Sequence, residues 1–206
     1  MNRLFLALIL SMLSVGANAA LIDRGGGMIY DDLLDITWLQ DADYAQTSGY
    51  DSNGLMNWYD ANTWAADLSY GGHDDWRLPT SMQPDPNCTG GSGSLSWGST
   101  CTGSEMGSLH YTTLGTAISQ PLSNFGPFTN IHTTIQYWTG TAHSGTGTPH
   151  AWFFDFADGT QLAGQAAGDR YAWAVADGDV AATLVPLPAA VWLFGSGLGL
   201  LGWMRR

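Results

Sequence analysis

Apolar segments at both ends of the 206-residue chain restrict the part that can fold as a domain in water. At the start, Arg3 precedes an apolar run from Leu4 to Val15, and small residues at Ala17 and Ala19 follow. A basic start, a short apolar run and an Ala-x-Ala site are typical of a secretory signal peptide. We expect it to span residues 1–19 and to be cut after Ala19; the alternative is an uncleaved membrane anchor.

The C-terminal segment, residues 185–206, combines two prolines, a glycine-rich apolar run and a basic end. The run from Leu187 to Met204 would be about 27 Å long as a helix, which just crosses a bilayer core. Arg205 and Arg206 favour the cytoplasmic side, so the rest of the chain would lie outside. The alternative is a helix buried in a protein core.

Residues 20–184 remain, enough for one domain with its own core. They hold all 18 acidic residues but only Arg24, Arg77 and Arg170 as cations, which gives this stretch a formal charge of −15. Such a surface repels DNA, RNA and sulfated glycans, so we expect no nucleic-acid partner. It can attract a hard cation, which makes calcium the candidate cofactor. The candidate ligands are Asp41, Asp43, Asp51 and Asn53.

The only two cysteines are Cys88 and Cys101, in a loop rich in glycine and serine. An oxidising compartment favours a disulfide between them. The bridge would contribute roughly 3 kcal/mol by the loop-entropy relation. A metal site built on these thiols would need more Cys or His at ligand spacing.

Hydrophobic periodicity predicts an α+β domain, in which two helices cover an antiparallel sheet with one aromatic face. One helix is expected to begin after Asn57 as its N-cap and to end at Gly71–Gly72, and the other to span Glu105 to Leu114. An acidic loop is expected from Asp41 to Asn53. The expected strands are two within 22–32 around a glycine turn, and one each at 35–40, 135–140, 151–156 and 171–175.

The tail resembles a PEP-CTERM sorting signal through Val185, Pro186, Leu187, Pro188, Arg205 and Arg206. It departs at Leu187, where the family has its namesake glutamate. The resemblance implies processing by an exosortase, with signal peptidase acting at the other end. It also implies a Gram-negative bacterium that makes exopolysaccharide, in which the protein is transiently anchored in the inner membrane. The protein would then reach the cell surface or the extracellular matrix.

A second resemblance covers roughly residues 23–180. The most specific motif is Asp75, Trp76, Arg77, Leu78, Pro79 and Thr80, accompanied by Thr37-Trp38-Leu39, Trp64-Ala65, Tyr137-Trp138 and Tyr171-Ala172-Trp173. In this order these residues resemble the Lcl C-terminal domain family. The resemblance implies a small C-type-lectin-like fold and a role in surface adhesion and glycan binding. Many relatives have cysteines in the first helix and the last strand, which this chain lacks.

The motif also has a physical interpretation. Arg77 beside Asp74 and Asp75 can form a charge-assisted pair, so we expect the segment to be structural.

For glycan binding, Trp97 is the candidate, because it stands alone in the bridged Gly/Ser loop; the alternative is that it packs over the core. Trp138, Trp152 and Trp173 fit core positions.

His143 and His150 could meet across a hairpin and hold a metal, or remain solvated loop residues.

Three functions follow from these residues, and no catalytic residue is expected. The first is a non-catalytic envelope or matrix protein that binds glycan, with exopolysaccharide as the candidate partner. The second is a structural matrix component stabilised by calcium. The third is an enzyme that modifies exopolysaccharide, for which the chain carries no nucleophile-elbow or metalloprotease motif.

Overall fold

The computed structural model describes residues 20–145 and 147–180. The expected signal peptide and the expected sorting tail lie outside these residues. Among the described residues, no helix combines the length and the apolar character needed to cross a bilayer.

The described chain is a mixed α+β domain dominated by strands, as the periodicity predicts. The first sheet is antiparallel, in the order β1-β2-β3-β11, with β1 at Leu21–Asp23, β2 at Met28–Asp31, β3 at Ile36–Leu39 and β11 at Val175–Asp177. The second has the order β4-β10-β7-β8-β9, with β4 at Leu55–Met56, β10 at Arg170–Tyr171, β7 at Tyr137–His143, β8 at His150–Asp155 and β9 at Thr160–Gln165. A hairpin pairs β5 at Gly90–Ser92 with β6 at Leu95–Trp97.

The expectation of a single antiparallel sheet is therefore wrong. The described residues form two larger sheets, and β10 pairs with β7 in parallel at Tyr171 and Tyr137. The stretch 171–175, expected as one strand, leaves the second sheet after Tyr171 and joins the first at Val175. Its intervening residues are buried, because the segment crosses the core between the two sheets.

The first expected helix is shorter than periodicity predicts, whereas the second, expected from Glu105 to Leu114, is helical from Glu105 to Thr113. The element α2 spans Trp58–Ala66, and its N-cap is confirmed, since the Asn57 side chain accepts from the backbone N–H of Tyr59 and Asp60, both at 3.0 Å. It ends at Ala66 with Asp67 as its C-cap, and the two glycines lie beyond it, in a turn across which Tyr70 and His73 exchange backbone hydrogen bonds. The other helical elements are α1 at Tyr44–Thr47, inside the expected acidic loop, and α3 at Glu105–Ser108, which continues as a π-helical turn at Leu109–Thr113.

Aromatic residues from both sheets form the core, as expected for Trp138, Trp152 and Trp173. Trp173 is central: its ring centroid lies 4.8 Å from that of Trp38 and 4.9 Å from that of Phe128. Its indole Nε1 donates to the Leu39 carbonyl at 2.7 Å, so this buried polar atom is satisfied. The segment that crosses between the sheets thus fixes them against each other.

Trp76 and Leu78 of the Asp75–Thr80 motif are buried, and the expected partners of Arg77 are wrong. Arg77 binds Glu105 in a bidentate pair, at 2.9 and 2.7 Å, and Asp177 at 2.6 Å, while Asp74 and Asp75 are exposed. Glu105 also accepts from the Thr80 N–H at 2.7 Å. Burial alone would lower the pKa of Arg77, but the hydrogen bonds and charges of Glu105 and Asp177 outweigh it and raise that pKa. The carboxylates that neutralise Arg77 therefore come from residues distant in sequence, at the start of α3 and on β11.

Candidate functional site

Trp97 lies on the hairpin of β5 and β6, which the disulfide holds at its base. The sulfurs of Cys88 and Cys101 are 2.07 Å apart, which confirms the expected pairing. In the hairpin Gly90 pairs directly with Trp97, and a Cβ at Gly90 would lie 2.7 Å from the indole Nε1. The indole therefore lies against the Gly90 backbone in space that only a glycine leaves open. This contact restricts the orientation of the ring.

The hairpin is attached to the body of the domain through residues that flank Trp97. Ser96 is buried and exchanges hydrogen bonds with the Gln83 side chain at 2.7 and 3.0 Å. On the other side, Gly98 and Gln161 exchange two backbone hydrogen bonds at 2.9 Å. Because side chains alternate along a strand, an inward Ser96 turns Trp97 outward. The side chain of Trp97 is 39% exposed, so the expected exposed aromatic is present, although part of the ring packs on the hairpin.

Leu162 extends the apolar surface beside Trp97. The antiparallel bridge between Gly98 and Gln161 makes Trp97 and Leu162 the next cross-strand neighbours, with both side chains on one face. Leu162 is also 39% exposed. An exposed indole held in a fixed orientation beside an aliphatic side chain is a surface on which the apolar face of a sugar ring can stack.

A second aromatic surface borders a cavity of about 260 Å³ at the start of α2. The cavity is lined by Tyr59, Thr148, Pro149, Gln165 and Ala167. Tyr59 is half exposed, and its ring packs edge-on against Trp58, with centroids 5.4 Å apart. This cavity is not evident from the sequence, because Tyr59 follows a helix N-cap and meets Pro149 only in the tertiary structure.

Three of the candidate calcium ligands, Asp41, Asp51 and Asn53, accept hydrogen bonds from nearby residues of their own loop. Asp51 accepts from the N–H groups of Asn53 and Gly54 at 2.9 and 2.8 Å, and Asn53 accepts from Leu55 at 2.9 Å. Asp41 accepts from the N–H of Asp43 at 2.9 Å and from Thr47 Oγ1 at 2.7 Å. Such contacts between a side chain and nearby backbone stabilise turns. They give the Asp and Asn residues of this loop a role in its backbone hydrogen bonding.

Asp43 is buried and pairs with His132, with Oδ2 at 2.8 Å from Nε2. The His132 ring stacks on Tyr171, with centroids 3.8 Å apart. Burial raises the pKa of Asp43, and the hydrogen bond from His132 partly opposes that rise. The pair joins the acidic loop to the strand β10, and this contact was not anticipated from the sequence.

Metal-ligating side chains converge at one place within residues 20–145 and 147–180. Asp85, Cys88 and Cys101 have ligand atoms within 4.8 Å of one another, but both sulfurs belong to the disulfide. Asp41, Asp43 and Asp51 do not form such a group, and calcium binding stays a prediction. His143 and His150 do meet across β7 and β8, with ring centroids 6.2 Å apart.

His110 is a buried titratable group that the sequence did not distinguish from the other histidines. It lies in the π-helical turn, fully buried, and its ring contacts those of Phe154 and Phe156. Neither ring nitrogen has a hydrogen-bond partner among the described residues. Burial lowers the pKa of His110 to about 4, so the imidazole is neutral at pH 7.

The chain matches no protein-family model, no curated protein and no solved structure. The resemblances to the Lcl C-terminal domain family and to a PEP-CTERM sorting signal therefore stay predictions, carried by the motif residues alone.

Proposed function

We propose that this protein is an exported envelope or matrix protein whose domain binds glycan through the surface formed by Trp97 and Leu162. The observation that carries the proposal is the indole of Trp97, which is partly exposed and held against Gly90 on a disulfide-tethered hairpin. Aromatic surface that is fixed before binding loses little conformational freedom when a ligand stacks on it. The resemblance to a family of surface adhesins supports the same class of ligand.

Export and sorting are part of the proposal and depend on the two end segments. Signal peptidase would remove residues 1–19, and an exosortase would act near Pro186 to Pro188. The mass of the protein recovered from the producing cell tests this directly. We expect an N-terminus at Ala20 and loss of the apolar run after Pro188; an unprocessed mass of the full chain would contradict it.

The binding test uses the purified protein and a panel of neutral and acidic polysaccharides, with calcium and with chelator. We expect saturable binding to one class, and about a tenfold loss of affinity in Trp97→Ala, which corresponds to 1.4 kcal/mol. Phe125→Ala is the matched control, because Phe125 is similarly exposed, at 40%, in a different loop, where the Pro127 carbonyl accepts a hydrogen bond from Gln40.

Each remaining outcome favours a different function. Equal losses in the Trp97 and Phe125 variants would show that Trp97 is not the site. No binding to any polysaccharide would favour the structural matrix component, and a melting temperature that rises with calcium would support its calcium-stabilised form. Release of products from a polymer would favour the polysaccharide-modifying enzyme.

A further inference from the structure

The exposed pair of Trp97 and Leu162 is one end of a row of side chains that crosses the second sheet. Leu162 of β9 pairs directly with Phe153 of β8, and Phe153 pairs directly with Trp138 of β7. Directly opposed residues share a face of a sheet. The four side chains therefore form one row, which becomes more buried from Trp97 toward Trp138.

Arg170 covers the inner part of this row. Its guanidinium carbon lies 4.1 Å from the ring centroid of Phe153 and 4.2 Å from that of Trp138. A Cβ at Gly164 would lie 2.7 Å from Nη2, and a Cβ at Gly168 would lie 3.2 Å from Nη1. The terminal nitrogens therefore pack close to the backbone of both glycines, which are partly exposed and carry no side chain that would cover them further. Arg170 itself is also partly exposed.

The charge of Arg170 is uncompensated by any described residue. Arg24 pairs with Asp179, and Arg77 pairs with Glu105 and Asp177, whereas Arg170 has no carboxylate partner in the part of the chain that the structure describes. Its Nε is buried without a hydrogen-bond partner, and burial lowers its pKa. In a domain with a formal charge of −15, Arg170 is thus the one described arginine without an ion pair. Guanidinium groups bind carboxylates well, through parallel N–H donors.

We propose that the row from Trp97 to Arg170 binds a carboxylated oligosaccharide, one that contains uronic acid. One sugar ring stacks on Trp97, and the carboxylate of another accepts hydrogen bonds from Nη1 and Nη2 of Arg170. The two groups are about two strand spacings apart, ~10 Å, which suits a short oligosaccharide rather than a single sugar. This inference rests on the proposed glycan-binding function and names the ligand class for the same surface.

The acidic surface restricts which anionic glycans fit. Its field repels a densely sulfated polymer, but charges beyond the Debye length of about 8 Å are largely screened at physiological salt. A single carboxylate gains the direct contact with Arg170, whereas a dense array of sulfates would also face the surrounding aspartates, of which Asp169 is adjacent in sequence and exposed. The inferred ligand therefore carries carboxylates and no dense array of sulfates.

The test compares an oligogalacturonate with its carboxyl-reduced, neutral counterpart, both titrated into the wild-type protein by calorimetry. We expect at least tenfold tighter binding of the carboxylated form, with a preference that decreases as salt is raised. Arg170→Gln should remove the preference while binding of the reduced oligosaccharide stays within about twofold of wild type. Arg170→Lys should retain part of the preference, because it keeps the charge but not the two parallel donors.

Arg24→Gln is the matched control, because it also removes one positive charge, at a residue paired with Asp179 and outside the row. It should leave the preference unchanged. Equal wild-type affinity for the two forms would overturn the inference and leave the proposed glycan binding intact. Binding of neither form, together with no binding across the wider polysaccharide panel, would overturn both. Since the wild-type comparison needs no variant, poor folding of an Arg170 variant would not prevent the test.

Discussion

The indole of Trp97 lies directly over the backbone of Gly90, the residue that pairs with it across the β5–β6 hairpin. Contact of this kind needs a residue without Cβ, because an added Cβ would lie 2.7 Å from Nε1. Gly90 thus determines the orientation of an aromatic ring that we propose binds glycan.

Gly90→Ala should weaken glycan binding although Gly90 does not contact the ligand. The new Cβ displaces the indole, so we expect a three- to tenfold loss of affinity, about 0.7 to 1.4 kcal/mol. Titration with the best-binding polysaccharide measures it. Gly93→Ala, at the turn of the same hairpin, tests for a general effect of strain in the turn, since its φ of 61° disfavours a side chain but no atom lies within 4 Å of the added Cβ. Unchanged affinity in the Gly90 variant would argue against an oriented Trp97.

Reduction of the disulfide should destabilise the whole domain rather than the hairpin alone. The bridge between Cys88 and Cys101 closes a loop with a sequence separation of 13, and we expect the free energy of unfolding to fall by about 3 kcal/mol. Urea denaturation with and without reductant measures the change, and the double substitution of both cysteines by serine should reproduce it. If the loss is below about 1 kcal/mol, the hydrogen bonds of Ser96 and Gly98 hold the loop without the bridge.

Arg77→Gln should be among the most destabilising surface-charge substitutions in the chain. It removes the bidentate pair with Glu105, which is itself mostly buried, and leaves that carboxylate and Asp177 without their cation. We expect a loss of about 2–3 kcal/mol in the free energy of unfolding, typical of hydrogen bonds to charged groups. Arg24→Gln provides the comparison, because Arg24 pairs with a single carboxylate, that of Asp179, and this pair should be worth about 0–1 kcal/mol. Similar losses in the two variants would contradict a special role for the Asp75–Thr80 motif.

Acid should destabilise the domain through His110. In the unfolded chain the imidazole has its ordinary pKa near 6.5, whereas folding lowers the pKa to about 4. Its contribution is fully present above pH 6.5 and is lost as the pH falls toward 4, because the unfolded chain takes up the proton first. The full effect is roughly 3 kcal/mol, at 1.36 kcal/mol for each unit of pKa shift.

His110→Phe isolates this contribution. Phenylalanine suits the neighbouring rings of Phe154 and Phe156 and cannot be protonated. Denaturant midpoints of both proteins from pH 7 to 4 should therefore diverge, with wild type losing stability faster. Burial raises the pKa of Asp31 and Asp43, so these two residues favour the folded state as the pH falls. Their effect is the same in wild type and in the His110 variant, and it cancels when the two proteins are compared. Parallel pH profiles would show that His110 is not buried in its neutral form.

Local patterns in the sequence were sufficient for features that depend on neighbouring residues. Asn57 as an N-cap follows from its side-chain oxygen and the apolar spacing of Ala61, Trp64 and Ala65, and the structure confirms it. The disulfide follows from a chain with only two cysteines. The alternation of Trp152, Phe154 and Phe156 predicts a strand, although the buried Phe153 shows that both faces of that strand are covered.

The sequence could not predict which distant residues meet. Arg77 pairs with Asp177, a hundred positions away, because β11 returns to the edge of the first sheet beside the motif. The burial of His110 and the position of Arg170 over Phe153 arise in the same way. No period of apolar residues encodes such contacts, since they depend on the order of strands in the sheets.

By itself, the sequence determined the α+β class, the α2 N-cap and the disulfide, because each follows from interactions between residues close along the chain or from composition. It also determined that Trp97 stands alone in a Gly/Ser loop, which made it the candidate for glycan binding. Only the tertiary structure placed Leu162, Phe153 and Arg170 in one row with Trp97, because cross-strand register joins residues that are far apart in sequence. It also left Arg170 without a carboxylate partner among the described residues, since the acidic side chains that reach a guanidinium lie beside Arg24 and Arg77.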